Sequence, residues 1–261
     1  MKKIFMIIGV ILIGAGLLGA FMTYQANFSD EEIIKVINSP VKALTIEADN
    51  TSITIVPTEE DDMTVVFSGM KEQDLIDALN LKANDETLAI AVDQANWFFF
   101  IPFVTQQPRL TVKVPRDQLT NISAKTSNGR VIVKEQHMDE IDLKTSNGAI
   151  ELIDLEANVL QAKTSNGKVT LMNTTGRIEA ETKNGSIDAF GLKMTDDVTL
   201  RTSNGSIDVS LSHGADVTIE ADTSNGSVDI FGRDNRYEVL NDGTYSLKLD
   251  TSNGSIDVYT D

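Results

Sequence analysis

The chain has no cysteine among its 261 residues and only two histidines, His137 and His213. Without thiols there is no disulfide framework, thiol nucleophile, cysteine-bound zinc or lipidated cysteine. Two imidazoles also leave little material for a histidine-rich metal site or a Ser-His-Asp triad. No G-x-S-x-G, H-E-x-x-H or P-loop pattern is present. The sequence therefore argues against an enzyme, and no cofactor is expected.

Basic residues are scarce as well. The chain has 22 Lys and Arg against 39 Asp and Glu, a net charge of −17. Because nucleic-acid binding depends on a basic surface, we expect no nucleic-acid partner.

The first thirty residues are nearly free of charge. After Lys2 and Lys3 no charged residue occurs before Asp30, and Ile4 to Met22 is almost wholly apolar. A helix of this length reaches about 28 Å, close to the ~30 Å of a bilayer core. The pattern predicts a transmembrane anchor over residues 1–25, with a cytoplasmic N-terminus and an extracytoplasmic C-terminal domain at the cell membrane. A cleaved signal peptide is the alternative.

The next segment predicts a short juxtamembrane helix or stalk over residues 26–40. Ser29-Asp30-Glu31-Glu32 has the form of a capping box, apolar residues follow at helical spacing, and Pro40 ends the run.

A repeat built around Asn-Gly dominates the rest of the chain. Its seven copies are separated by 19, 19, 18, 20, 21 and 28 residues, and a threonine stands two places before each asparagine. Such periods indicate a repeat architecture. The predicted repeat corners are Asn128, Gly129, Asn147, Gly148, Asn166, Gly167, Asn184, Gly185, Asn204, Gly205, Asn225, Gly226, Asn253 and Gly254.

Apolar residues alternate on both sides of each corner, which predicts an all-β fold. The identical threonines favour a parallel β-solenoid, similar to a β-helix, with coils of about 19–21 residues. The alternative is a β-sandwich or barrel of Asn-Gly hairpins. The corner glycine, and often the asparagine, is expected to take positive φ. Residues 41–115 form degenerate coils, 116–261 form the regular repeat domain, and the residues near Asp234–Gly243 are expected to protrude as a hairpin.

Aspartates recur at one outward position of the later repeats. Stacked carboxylates attract a hard cation such as Ca²⁺, but the alternative is a plain solvated acidic face, and the Gly-Gly-x-Gly-x-Asp repeat of calcium β-rolls is missing. We therefore expect no firm metal site. The weak calcium candidates are Asp188, Asp208, Asp229 and Asp257.

The segment from Trp97 to Val104 is the most apolar part of the outer domain. It predicts either a cap over the open end of the solenoid or a loop that contacts the membrane or a membrane protein. The residues of this candidate contact loop are Trp97, Phe98, Phe99, Phe100 and Phe103.

The Thr-Ser-Asn-Gly-x-Ile/Val-x-Val repeat behind a single apolar span resembles the bacterial β-strand-repeat "putative adhesin" family. It looks most like the membrane-anchored LiaG-type members, over residues 40–261. The resemblance implies a parallel β-helix-like fold and a setting near envelope-stress sensing, and it transfers no active site.

These observations predict a non-enzymatic, membrane-anchored interaction or scaffold module at the bacterial cell envelope. Its expected partners are the membrane, crossed once, and an envelope or membrane protein. The alternative is an adhesin-like surface module that binds glycans or cell-wall polymers, with cations assisting.

Overall fold

The computed structural model describes residues 31–70, 72–84, 86–93 and 108–260. These residues form nineteen strands and one short helix, α1 (Glu72–Ala78). The strands are β1 (Glu32–Ile37), β2 (Ala43–Ala48), β3 (Ser52–Thr58), β4 (Met63–Ser68), β5 (Leu79–Ala83), β6 (Thr87–Val92), β7 (Arg109–Pro115), β8 (Asn121–Thr126), β9 (Val131–Thr145), β10 (Ile150–Lys163), β11 (Val169–Asn184), β12 (Ile187–Leu192), β13 (Val198–Asn204), β14 (Ile207–Leu211), β15 (Val217–Asn225), β16 (Val228–Ile230), β17 (Tyr237–Leu240), β18 (Tyr245–Asn253) and β19 (Ile256–Thr260).

Each repeat forms one coil, with a strand before its Asn-Gly corner and a strand after it. The strands before the corners lie side by side and form what we call the asparagine face; those after the corners form the glycine face. The long strands β9, β10 and β11 leave one coil on the glycine face and enter the next coil on the asparagine face. Neighbouring coils pair in parallel, so equivalent residues such as Ile122 and Ile141 lie opposite each other.

The core lies between the two faces. Alternating residues of every coil point inward, and Val131, Val133, Ile150 and Leu152 have no exposed surface. β-branched and leucine side chains at every second position fit this half-buried, pleated arrangement. The outward positions between them are polar or only partly buried, which leaves two outer faces for contact with other molecules.

The coils do not stack in chain order at either end. At one end, the coil of β2 and β3 lies between the coil of β6 and β7 and the coil of β8 and β9. At the other end, the coil of β18 and β19 lies between that of β13 and β14 and that of β15 and β16. The outermost coil at each end is therefore an internal segment of the chain.

Antiparallel strands cover edges at both ends of the stack. β5 pairs with β6, β4 with β7 and β1 with β4, while β17 pairs with β15 at the opposite end. Helix α1 buries Leu75 and Ala78 beside β1 and β5. Covered edges limit pairing with other chains. The hairpin expected to protrude near Asp234–Gly243 is thus wrong, because its strand β17 lies flat against β15.

The predicted fold class is wrong as stated. The molecule is all-β with mainly parallel strands, but its nineteen strands form one continuous sheet with coils out of chain order and antiparallel strands at both ends. Each Asn-Gly corner joins strands of different faces, so the hairpin alternative is wrong as well. Within the described ranges, no helix is long and apolar enough to cross a membrane. Residues 1–25, the predicted anchor, lie outside those ranges.

The helix predicted over residues 26–40 is wrong for Glu32–Ile37, which form strand β1. Ile33 is 8% exposed, whereas Ile34 and Val36 point outward, and the strand pairs along its whole length with β4. Pairing with the free edge of β4 satisfies the backbone and overrides the local capping signal.

Candidate functional site

An unbroken ladder of asparagine side chains runs along the predicted corners. At each step the Nδ2 of one asparagine donates to the Oδ1 of the asparagine in the neighbouring coil, for example over 2.6 Å from Asn147 to Asn128. Because Asn225 bonds to Asn253 at 3.0 Å, the ladder follows the stacking order and not the chain order. From end to end it contains Asn50, Asn128, Asn147, Asn166, Asn184, Asn204, Asn253 and Asn225.

The repeated threonines make a second ladder, inside the coils. Each hydroxyl donates to a backbone carbonyl of the adjacent coil, as in Thr164 to Gly148 at 3.0 Å and Thr202 to Gly185 at 2.8 Å. These side chains are buried, with 6% and 5% of their surface exposed. Both ladders therefore satisfy polar groups within the stack, and neither offers a binding site.

Gly129, Gly148 and Gly167 are needed for close approach between coils and do not use the positive φ that glycine allows. A Cβ on Gly167 would lie 1.8 Å from the carbonyl oxygen of Gly148, and Gly148 and Gly129 stand in the same relation. None of these three glycines has positive φ. The neighbouring coils thus touch through backbone at each corner.

A column of residues with positive φ lies at the opposite corner, where the chain returns to the asparagine face, although Asn50 of the ladder also has a φ of 51°. Asp117, Glu135, Asp154 and Asn173 have φ between 48° and 56°. Sequence reasoning missed this column, because these residue types vary and none is glycine. Beside it lies a groove of about 450 Å³. Its lining residues are Arg116, Asp117, Glu135, Gln136, His137, Asp154, Leu155, Glu156, Asn173 and Thr175.

The four calcium candidates lie in one row on the outside of the glycine face. Their order is Asp188, Asp208, Asp257 and Asp229, each opposite the next. Burial, with the charges of Asp188 and Asp257 added, raises the pKa of Asp208. In the described part of the chain, no three His, Cys, Asp or Glu side chains are grouped to hold a metal ion. Both interpretations of the row, a calcium site and a solvated acidic face, stay predictions.

The other half of the same face is basic. Arg109 and Lys113 on β7 and Lys134 on β9 point outward and make no ion pair with any residue in the described ranges. Arg130 pairs with Glu151 at 3.5 Å. The glycine face is therefore segregated into a basic half and an acidic half, which the sequence analysis did not detect.

The candidate contact loop Trp97, Phe98, Phe99, Phe100 and Phe103 lies outside the described residues. Both interpretations of it, cap and contact loop, stay predictions.

Two faces of stacked coils, joined through asparagine and threonine ladders, define a β-repeat domain of the stacked-coil class. The chain belongs to the Toastrack DUF4097 family, whose model matches residues 41–174 and 160–259. No curated protein matches the chain.

The chain is similar to solved structures at low sequence identity. One is a "putative cell adhesion protein" from Clostridium sporogenes, with 11% identity, a TM-score of 0.45, and coverage of 89% of this chain and 100% of that chain. Another is a "putative adhesin" from Bacteroides fragilis, with 10% identity, a TM-score of 0.45, and coverage of 89% and 98%.

Proposed function

We propose that this protein is a non-enzymatic interaction module of the cell envelope. Its domain acts outside the cytoplasm and is held at the membrane by the apolar N-terminal segment. The resemblance to LiaG-type proteins supports a partner in envelope-stress sensing, which makes a membrane protein the first candidate.

One observation carries this proposal. The repeated polar residues are used within the stack, since each corner asparagine and each repeated threonine bonds to the next coil. The outward residues of the glycine face carry no such repeated ladder and vary from coil to coil, so they form a long surface with separate basic and acidic halves. Such a surface suits recognition of an extended or multivalent partner.

Photo-crosslinking in living cells tests the proposal. A photoreactive amino acid is placed at Thr111 or Thr170 on the glycine face, with Ser123 on the asparagine face as the control. We expect specific products from the two glycine-face positions only. Products that survive removal of wall polymers identify a protein partner. Equal capture from both faces, or turnover of an envelope polymer by the purified chain, would contradict the proposal.

A second candidate function, glycan binding by an adhesin-like module, is favoured by the groove at the return corner. It offers an imidazole, an amide, a hydroxyl and several carboxylates side by side, which are the groups that fix sugar hydroxyls. Titration of envelope oligosaccharides against His137→Ala and Thr175→Ala tests it, with His213→Ala outside the groove as the control. Equal affinity in all three variants would contradict it.

A further inference from the structure

A second groove, of about 440 Å³, lies on the basic half of the glycine face. Its sides are Arg109 on β7 and Arg130 just before β9, and Ser52 of β3 stands between them. Thr54 and Thr111 line the same groove. Because strands lie about 4.8 Å apart, the two arginine backbones are about 10 Å from each other across a small side chain. The groove, which we call the trough, is lined by both arginines and continues past Arg130 to Gly148 and Ala149 of the next coil.

Four cations, Arg109, Lys113, Arg130 and Lys134, lie at or near this trough in a chain whose net charge is −17. Arg109 makes no ion pair within the described ranges, and the Arg130–Glu151 pair is solvent-accessible, with side chains 57% and 29% exposed. Such an exposed pair contributes only about 0–1 kcal/mol, so a stronger anion can displace it. Lys113 and Lys134 form a parallel row of cations about 13 Å further along the strands.

The cations repeat along the stack at a regular interval. Arg109, Arg130 and Lys168 occupy one row, on every second strand, and the small residues Ser52 and Ala149 lie between them. Lys168 contacts Asp188, where the acidic half of the face begins. A chain of anions spaced along this row meets a cation every 10 Å or so, and the small residues leave room for its backbone.

We propose that this trough binds a linear polyanion whose charges are phosphodiester groups, lying along the stack from β7 towards β11. Arginine forks match phosphate oxygens in a bidentate manner, and the hydroxyls of Thr54 and Thr111 add neutral donors. A flat bilayer fits less well, because the arginines flank a trough. Single-stranded nucleic acid fits less well, since the lining residues include no aromatic ring on which bases stack. The inference rests on the proposed function as an interaction module and names its partner class.

The test measures binding of fluorescein-labelled poly(glycerol phosphate) to the full chain in detergent micelles by fluorescence anisotropy. The double variant Arg109→Gln/Arg130→Gln is compared with Lys82→Gln/Lys125→Gln, which removes the same charge from exposed positions on the asparagine side. We expect the trough variant to weaken binding at least tenfold and the control variant less than twofold. The slope of log Kd against log salt should also fall by about 1.5 in the trough variant alone.

Other ligands serve as further arms of the test. Polygalacturonate, single-stranded DNA, and vesicles of phosphatidylglycerol and phosphatidylcholine should each bind more weakly than poly(glycerol phosphate). Equal loss in the two double variants would overturn the inference, because it would indicate unspecific charge attraction. Trough-dependent binding of the vesicles but not of the polymer would overturn it in favour of lipid headgroups. If the trough variant keeps the crosslinks from Thr170 in cells, the inference fails while the proposed function stands.

Discussion

Gly167→Ala is the most direct test of how neighbouring coils are held together. The added Cβ would lie 1.8 Å from the carbonyl oxygen of Gly148 and 2.5 Å from its carbonyl carbon. An ordinary carbon–oxygen contact is about 3.5 Å, so the two coils must separate locally by about 1.5 Å. The backbone of the neighbouring coil cannot rotate away as a flexible side chain does.

The cost follows from the bonds that such a separation breaks. Thr164 Oγ1 donates to Gly148 O at 3.0 Å, and Asn166 Nδ2 donates to Asn147 Oδ1 at 2.7 Å, both across the same pair of coils. Each bond contributes about 1 kcal/mol, and forcing extra volume into a packed site costs about 1–3 kcal/mol. We expect the free energy of unfolding to fall by about 3–5 kcal/mol and the Tm by roughly 10 °C.

Gly214→Ala is the matched control, because the two glycines differ in the reason for their presence. Gly214 has a φ of 80° and nothing within 4 Å of the added Cβ, so alanine there meets only the left-handed backbone penalty of about 1–2 kcal/mol. Urea unfolding followed by circular dichroism measures both variants. If Gly167→Ala costs no more than Gly214→Ala, close approach between coils is not the reason for the corner glycines, and the reasoning is refuted.

Three further predictions concern charge, the asparagine ladder and the order of coils. The pKa of Asp208 is higher in the folded state than in the unfolded state, so its charged form lowers the stability of the fold above the unfolded pKa. Asp208→Asn should therefore raise the Tm by about 2 °C at pH 7. In thermal scans below pH 3.8 this gain should be absent. Asn184→Ala removes two ladder bonds of 2.8 and 2.9 Å and should cost about 1–2 kcal/mol in urea unfolding, twice the loss from Asn158→Ala, which removes one bond. Deletion of residues 245–261 removes the only coil that neighbours residues 217–230 in the described structure. We expect it to abolish the amide-exchange protection of residues 217–230. Persistent protection there would contradict the observed stacking.

The strand pattern of the regular repeats could be predicted because period-two alternation fixes which side chains point inward. Thr164 and its equivalents are buried, and Ile150 and Leu152 lie in the core, as the alternation predicts. The helix assigned to the segment before Pro40 failed for a tertiary reason. Local capping signals describe an isolated segment, whereas β4 presents an edge that only a strand can pair.

The basic trough could not be predicted, because it depends on which strands become neighbours. Ser52 lies between Arg109 and Arg130 in the fold, although it is far from both in the sequence. No local sequence pattern predicts that β3 is inserted between β7 and β9. The sequence predicted which aspartates form the row but not their order. Asp257 lies between Asp208 and Asp229 in the structure. Identical corners make the coils interchangeable locally, so the connections between them decide the order.

That interchangeability also explains how one end of the stack is arranged. A coil at the end of a stack leaves one edge unpaired. Here the final coil, β18 and β19, is paired on both sides, by β13 and β14 and by β15 and β16. The coil of β15 and β16 therefore stands at the end of the stack, and β17 covers the edge of β15. Each of these Asn-Gly corners carries an asparagine, so the ladder stays unbroken although the coils are out of chain order. The coil of β18 and β19 is therefore held by the same contacts as coils in the middle of the stack, and the glycine face stays continuous from β7 to β16.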